Sequence, residues 1–228
     1  MGLNMFLKIF SLFFMISCSL KKETSSHHGH HANKHMLRQS HENLIAEFED
    51  PERDEWQKPE QVVKILGDLK DKKIVDLGSG SGYFTAQFLK TAAMVTAADI
   101  DEKFLKHIAT RFPHQAYPQL KIHLMKADDP QIQIEVYDYA FSCNTYHHID
   151  NRVTYFKKVL KGLKKGGKIM IVDFSANKTG KKSFGPPAHL RLPADLVVQE
   201  LGEAGLKDIK VLNDVLEHQY IITCSKTF

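Results

Sequence analysis

Cysteine, long apolar runs and dense positive charge are all scarce in this chain, and each scarcity closes off a class of protein. Three cysteines in 228 residues cannot build a disulfide framework. Cys143 and Cys224 fall in predicted strands and read as small buried apolar side chains. The apolar stretch near the start, Ile9 to Ile16, is too short to span a bilayer as a stable helix. The net charge is only +4, with no basic stripe interleaved with aromatics, so nucleic-acid binding is not expected. The lysines at Lys157, Lys158 and from Lys161 to Lys168 read as a solvated helix face and turn. Histidine is plentiful, with 13 residues, but no cysteine or carboxylate stands at fixed spacing among the N-terminal ones. No tetrahedral metal site can be drawn from them. The remaining composition, 43% hydrophobic and 25% charged, suits one globular domain of about 150 to 200 residues plus extensions.

What is present is concentrated in Ile74-Val75-Asp76-Leu77-Gly78-Ser79-Gly80-Ser81-Gly82-Tyr83. This reads as a buried strand, an acid, three glycines at alternate positions and the start of a helix. A strand entering a glycine turn and then a helix is how α/β proteins hold nucleotide-like ligands. Glycine admits the ligand where a Cβ would fill the space. Dinucleotide enzymes use Gly-x-Gly-x-x-Gly, the last glycine allowing close helix–strand packing. Here that position is Tyr83, far too large, and no dehydrogenase acid–base pair accompanies it. A nicotinamide oxidoreductase is disfavoured.

Three later landmarks extend the pattern. Met94-Val95-Thr96-Ala97-Ala98-Asp99-Ile100 is a strand ending in an acid, about 20 residues after the glycines, where a ribose-binding carboxylate is expected. The strand near 120–125 ends in Lys126-Ala127-Asp128-Asp129-Pro130. Tyr137-Asp138-Tyr139-Ala140-Phe141-Ser142-Cys143-Asn144 is an apolar strand with a polar end, followed by Thr145-Tyr146-His147-His148-Ile149 and, later, by Gly166-Gly167-Lys168-Ile169-Met170-Ile171-Val172-Asp173. With Asp-x-Gly-x-Gly-x-Gly from Asp76 to Gly82, these landmarks stand in the order of the class I S-adenosylmethionine-dependent methyltransferases. The chain resembles that family over roughly residues 50–227, and within it the small-molecule, quinone C-methyltransferase type.

Strands are predicted near 73–77, 94–99, 120–125, 137–143 and 168–174, and helices near 59–69, 82–90, 101–111, 151–164 and 193–204. Strand–helix alternation signals a parallel sheet covered on both faces. Two closing strands, near 207–212 and 216–225, turn at Asn213-Asp214. The expected fold is Rossmann-like: α/β, doubly wound, with a mostly parallel seven-stranded sheet and an antiparallel C-terminal hairpin.

The resemblance implies S-adenosyl-L-methionine as cofactor and assigns roles. Asp76 would hold the ammonium side of the methionine moiety, with Gly78, Gly80 and Gly82 making room. Backbone N–H groups near Ser79 to Tyr83 would cradle the carboxylate. Asp99, with Ile100 beside it, would accept from the ribose hydroxyls. Asp128 would take the adenine amino group next to the Ala127 backbone, although Lys126 stands where relatives often carry an acid. Asn144 would lie at the strand tip beneath the methyl sulfonium. Methyl transfer is an in-line displacement at carbon, so alignment and exclusion of water are the main contributions. Tyr146, His147 and His148 stand where a substrate would be contacted, and one of the two histidines is expected to be structural. His189 and Arg191, after a loop spanning 175–187, are expected to reach over the pocket as a lid.

The N-terminus reads as a targeting segment. Residues 1–17 carry one lysine, Lys8, and then the apolar stretch, like the h-region of a secretion signal. Met15-Ile16-Ser17-Cys18 resembles a bacterial lipobox, which implies cleavage before Cys18 and its acylation. Each buried methylene of an acyl chain adds ~0.8 kcal/mol of membrane affinity. Residues 18–43 are then a polar, His-rich tether, with six histidines from His27 to His41, and 44–228 the catalytic domain. The location conflicts with a cytoplasmic supply of the cofactor. The competing reading is therefore a non-catalytic lipoprotein that binds a nucleoside or metal ion on a retained methyltransferase fold. An intact Asp76–Gly82 loop together with Asp99 argues against it, since a purely structural domain needs neither.

Overall fold

The computed structural model describes residues 39–176 and 185–227. The targeting segment, Cys18 and most of the His-rich tether lie outside the described residues, as does the middle of the loop expected over 175–187. Among the described residues no helix is long and apolar enough to cross a membrane.

Seven strands form one sheet: β1 (Lys73–Leu77), β2 (Met94–Asp99), β3 (Leu120–Leu124), β4 (Tyr137–Cys143), β5 (Leu163–Phe174), β6 (Lys207–Leu212) and β7 (Gln219–Ser225). Their order is β3-β2-β1-β4-β5-β7-β6. The first five run parallel, whereas β7 pairs antiparallel with both β5 and β6. The apolar runs are continuous because both faces of the sheet are covered. Val75, Leu77, Ile169 and Ile171 point into one core, and Ile74, Met170 and Val172 into the other.

Helices α1 (His41–Phe48), α2 (Glu52–Gln57) and α3 (Pro59–Leu66) precede the sheet. Between the strands lie α4 (Tyr83–Leu89), α5 (Glu102–Arg111), α6 (Arg152–Gly162) and α7 (Ala194–Glu203). On one side of the sheet Val62 and Leu66 of α3 pack with Phe84, Phe88 and Ile108 of α4 and α5. On the other, Tyr155, Phe156 and Val159 of α6 meet Val197 and Leu201 of α7. A buried bidentate pair joins the latter two helices: Arg152 donates to both oxygens of Glu200, at 2.7 and 2.8 Å.

The Ser40 side chain caps α1 by accepting from the Asn43 N–H. Two strand boundaries differ from expectation. β7 starts at Gln219, not 216. β5 starts at Leu163, not 168, because α6 passes directly into extended chain.

The chain order reverses where β1 lies between β2 and β4. In open α/β sheets the carboxyl ends of strands flanking such a switch form the ligand crevice. Helices α1 and α2 cross this end. Glu49, just past α1, accepts from Arg111 at 2.8 Å and pairs with His107, both on α5, and His41 contacts Asp101 at 2.6 Å.

Candidate active site

A cavity of about 400 Å³ opens over the tips of β1, β2 and β4. That size falls within the range of small-molecule and cofactor sites. Asp76, Gly78, Ser79, Gly80, Tyr83, Asp99, Ile100, Ala127, Asn144, His147 and His148 all line it.

Asp76, next to the last residue of β1, is 2% exposed, and its Oδ2 accepts from the Thr85 hydroxyl at 2.7 Å. Burial pushes this carboxyl up to about 7, with Asp99 adding repulsion, while Thr85 and Arg53 pull the other way. A buried acid held near neutrality is suited to a cationic partner in the cavity. Asp99 is raised to about 6, again by burial, and moderated by the backbone donors of Gly80, Asp101 and Ile100. Its Oδ2 accepts from the Gly80 N–H at 2.8 Å and its Oδ1 from the Asp101 N–H at 3.0 Å. The glycine loop is thereby hooked onto β2, helped by the Gly78 and Ser79 N–H groups, which both donate to the Ala98 carbonyl. Gly78 has φ +74°, and a Cβ there would sit 2.3 Å from the Thr145 side chain. Only glycine fits.

Beyond β4 the wall changes character. His147 is 2% exposed, and Asp173 near the end of β5 accepts from both its Nδ1 (2.8 Å) and its backbone N–H (3.2 Å). The proton on Nδ1 leaves Nε2 as the free ring nitrogen. The His148 ring lies 4.2 Å from that of His147. Trp56 and Phe174, 5.8 Å apart between ring centroids, complete an aromatic side of the cavity.

Several expected site residues lie elsewhere. Tyr146 is fully buried in the sheet–helix core, and its hydroxyl donates to Glu200 at 2.9 Å; it does not reach the cavity. The phenol stabilises the Arg152–Glu200 pair instead of touching substrate. Gly82 makes room for protein, not ligand, since a Cβ would approach Ile108 to 2.9 Å. Asp128 is exposed and off the cavity; the Lys158 ammonium donates to its backbone carbonyl. The cavity wall beyond the tip of β2 is lined instead by Ile100, Met125, Ala127 and Phe104. Asn144 is at the cavity, but its side-chain oxygen is taken by Gln219. His189 is exposed and Arg191 donates to the Pro186 carbonyl, so Gly185, Pro186 and Leu190 form the wall there. The expected backbone cradle is also depleted. The N–H groups of Gly78, Ser79, Gly80 and Gly82 all bond within the protein.

Three residues that matter were not singled out from sequence: Asp173, Arg53 and Trp56. Asp173 left one signal, an acid closing the apolar run Ile169 to Val172, where a buried carboxylate requires partners.

A family model described as a methyltransferase domain matches residues 75–171. Phosphoethanolamine N-methyltransferase 1 of Zea mays is 28% identical over 159 residues, which cover 67% of this chain and 31% of that protein. This chain thus spans about a third of the length of such curated relatives. Among solved structures, a SAM-dependent methyltransferase from Aquifex aeolicus superposes with a TM-score of 0.74 at 18% identity, over 83% of this chain and 100% of that one. Haemonchus contortus phosphoethanolamine N-methyltransferase 2, solved with phosphomonomethylethanolamine and S-adenosylhomocysteine, gives 0.64 at 16% identity, over 76% and 53%. The fold is the Rossmann-like methyltransferase fold.

Proposed function

We propose that this chain is a class I S-adenosylmethionine-dependent methyltransferase acting on a small-molecule acceptor. One observation supports the reading above others: a single cavity is lined by Asp76, by Asp99 and by His147, whose Nδ1 is paired with Asp173. The residues fit the cofactor. Asp99 at the tip of β2 suits adjacent ribose hydroxyls, the apolar group Ile100, Met125 and Phe104 suits adenine, and Asp76 suits the ammonium. Bound there, S-adenosylmethionine would supply the methyl group, displaced in line from sulfur by the acceptor.

The protein's own contribution is alignment and dryness. Trp56 and Phe174 hold the acceptor over β5, and His147 removes its proton through Nε2 while Asp173 fixes the ring. A small, protic acceptor with an apolar body fits this wall, and quinol C-methylation or N-methylation of an amine are both within its chemistry. The leader before Cys18 would place the enzyme on a bacterial membrane through a lipid, which mass spectrometry of the N-terminal peptide would test.

Calorimetry of the full chain is expected to give micromolar affinity for S-adenosylhomocysteine and none for NADH. Binding of NADH alone would overturn the proposal. Affinity should also depend on pH, with a definite sign. The Asp76 carboxyl, raised to about 7, must ionise to meet the ligand's ammonium. The dissociation constant should therefore rise about tenfold for each pH unit below 7. The same raised carboxyl makes the ligand-free fold lose stability as pH climbs from about 4 to 7. Hence the thermal shift produced by S-adenosylhomocysteine should grow from pH 5.5 to 8.

A further inference from the structure

Asn144 is the open end of a buried chain of side-chain amides, and the direction of that chain is fixed at its other end. Arg53 and Gln57 lie one turn apart on α2, both buried. The Arg53 guanidinium donates to Gln57 Oε1 at 3.4 Å, and the Cys143 thiol donates to the same oxygen at 3.7 Å. Burial pushes that thiol up to about 12, so it keeps its proton. A guanidinium has donors only. The Gln57 atom that faces it is therefore the oxygen, and the amide nitrogen faces away. Gln57 Nε2 donates to Gln219 Oε1, and Gln219 Nε2 donates in turn to Asn144 Oδ1. A reversed amide within this chain would set oxygen against oxygen or N–H against N–H, and Gln57 and Gln219 are both 0% exposed. Each link is forced by the one before it. Asn144 is left with its Nδ2 outermost.

Asn144 is half-buried on the cavity wall, and among the described residues no acceptor meets its Nδ2. That nitrogen is not sealed inside the protein either. The chain ends on the elements that carry the proposed acceptor wall. The Asn144 backbone N–H donates to the Val172 carbonyl, one residue before the Asp173 that holds His147. Gln219 stands opposite Phe174 in the β5–β7 register, and Gln57 follows Trp56 on α2. We infer that Asn144 presents an N–H donor to the methyl acceptor. It thereby selects an acceptor that brings an oxygen lone pair or oxyanion to the tip of β4, over an amine, whose N–H or ammonium finds no partner there. When His147 takes the acceptor's proton, the electron pair stays on that oxygen, and a preformed donor stabilises it. Gln57 and Gln219 are positioning residues, and Arg53 is the charge that sets their direction. The inference rests on the function proposed above and decides between the two acceptor chemistries left open there.

The test is calorimetry of full-length wild type, Gln57→Glu and Gln57→Met at pH 8 with two near-isosteric probes. These are para-nitrophenol, largely the phenolate at that pH, and para-nitroaniline, each with and without saturating S-adenosylhomocysteine. Wild type should bind the phenol about 10- to 100-fold more tightly, the range of one hydrogen bond to a charged oxygen. The glutamate has two acceptor oxygens, one for Arg53 and one that obliges Gln219 and then Asn144 to turn over. Gln57→Glu should therefore reverse the order of the probes and tighten the aniline in absolute terms. The added charge alone would weaken the phenol without tightening the aniline. Gln57→Met cuts the chain and should bring the two probes within about threefold of each other. No preference in wild type, or an unchanged order in Gln57→Glu, overturns the inference. If thermal unfolding shows the Gln57 variants to be misfolded, Asn144→Asp decides. It keeps an oxygen for Gln219, replaces the outward N–H donor with an acceptor, and should reverse the order in the same way; an unchanged order overturns the inference. Probe selectivity that persists without any affinity for S-adenosylhomocysteine would support the inference and refute the cofactor reading, a separate failure.

Discussion

His147→Asn should lower turnover by about 10²- to 10⁴-fold, the usual contribution of a positioned general base. Its affinity for S-adenosylhomocysteine should stay within about twofold of wild type. Asparagine is the right replacement because its side-chain N–H can stand where Nδ1–H donates to Asp173. Alanine would leave that 2% exposed carboxylate unpaired and confound the result with instability. His148→Asn should be far milder, since the Asp173 carboxylate orients the His147 ring and the His148 ring lies against it. Release of S-adenosylhomocysteine at saturating cofactor measures both. Undiminished turnover in His147→Asn would remove the residue from the mechanism.

Asp99→Ala should weaken S-adenosylhomocysteine about 100-fold or more. Two effects combine. Each hydrogen bond from a ribose hydroxyl to a carboxylate contributes about 1.5–3 kcal/mol, so losing two suffices for that factor. The carboxylate also holds the Gly80 and Asp101 N–H groups, so its removal frees the glycine loop from β2. Asp99→Asn keeps one acceptor oxygen and should fall between wild type and alanine. Titration at pH 8 keeps the wild-type carboxyl, raised to about 6, ionised for the comparison. A loss under about threefold in Asp99→Ala would mean that the ribose lies elsewhere.

These expectations follow from parts of the chain that differ in how openly they read. Strands β1, β2 and β4 were legible to the residue, because buried apolar runs with an acid or a polar residue at the tip leave little freedom of register. The acids at those tips were legible for the same reason, and Asp76 and Asp99 both line the cavity. Tyr146 misled because sequence puts it beside His147, whereas the 3₁₀ turn at Tyr146–His148 sends neighbouring side chains to opposite sides. One enters the core to meet Glu200, 54 residues on, and the other enters the cavity. Asp128 stands in the tight turn in which Lys126 and Asp129 bond to each other, which leaves it exposed and off the cavity. Arg53 was unreadable from local pattern. Inside Asp50-Pro51-Glu52-Arg53-Asp54 it looks like one more charge on a polar turn. Its burial comes from α2 folding back across the strand tips, with Gln57 of that helix reaching Gln219 across 162 residues.

The central claim is that the tips of β1 and β2 grip the two ends of an adenosyl amino acid whose sulfur faces His147. A crystal structure of the full chain with S-adenosylhomocysteine tests this most directly. It should show the ribose diol on Asp99, the ammonium at Asp76 and the sulfur turned toward the His147 and Trp56 side. Ligand density away from Asp99, or Asp76 and Asp99 too far apart to contact one molecule, would contradict it.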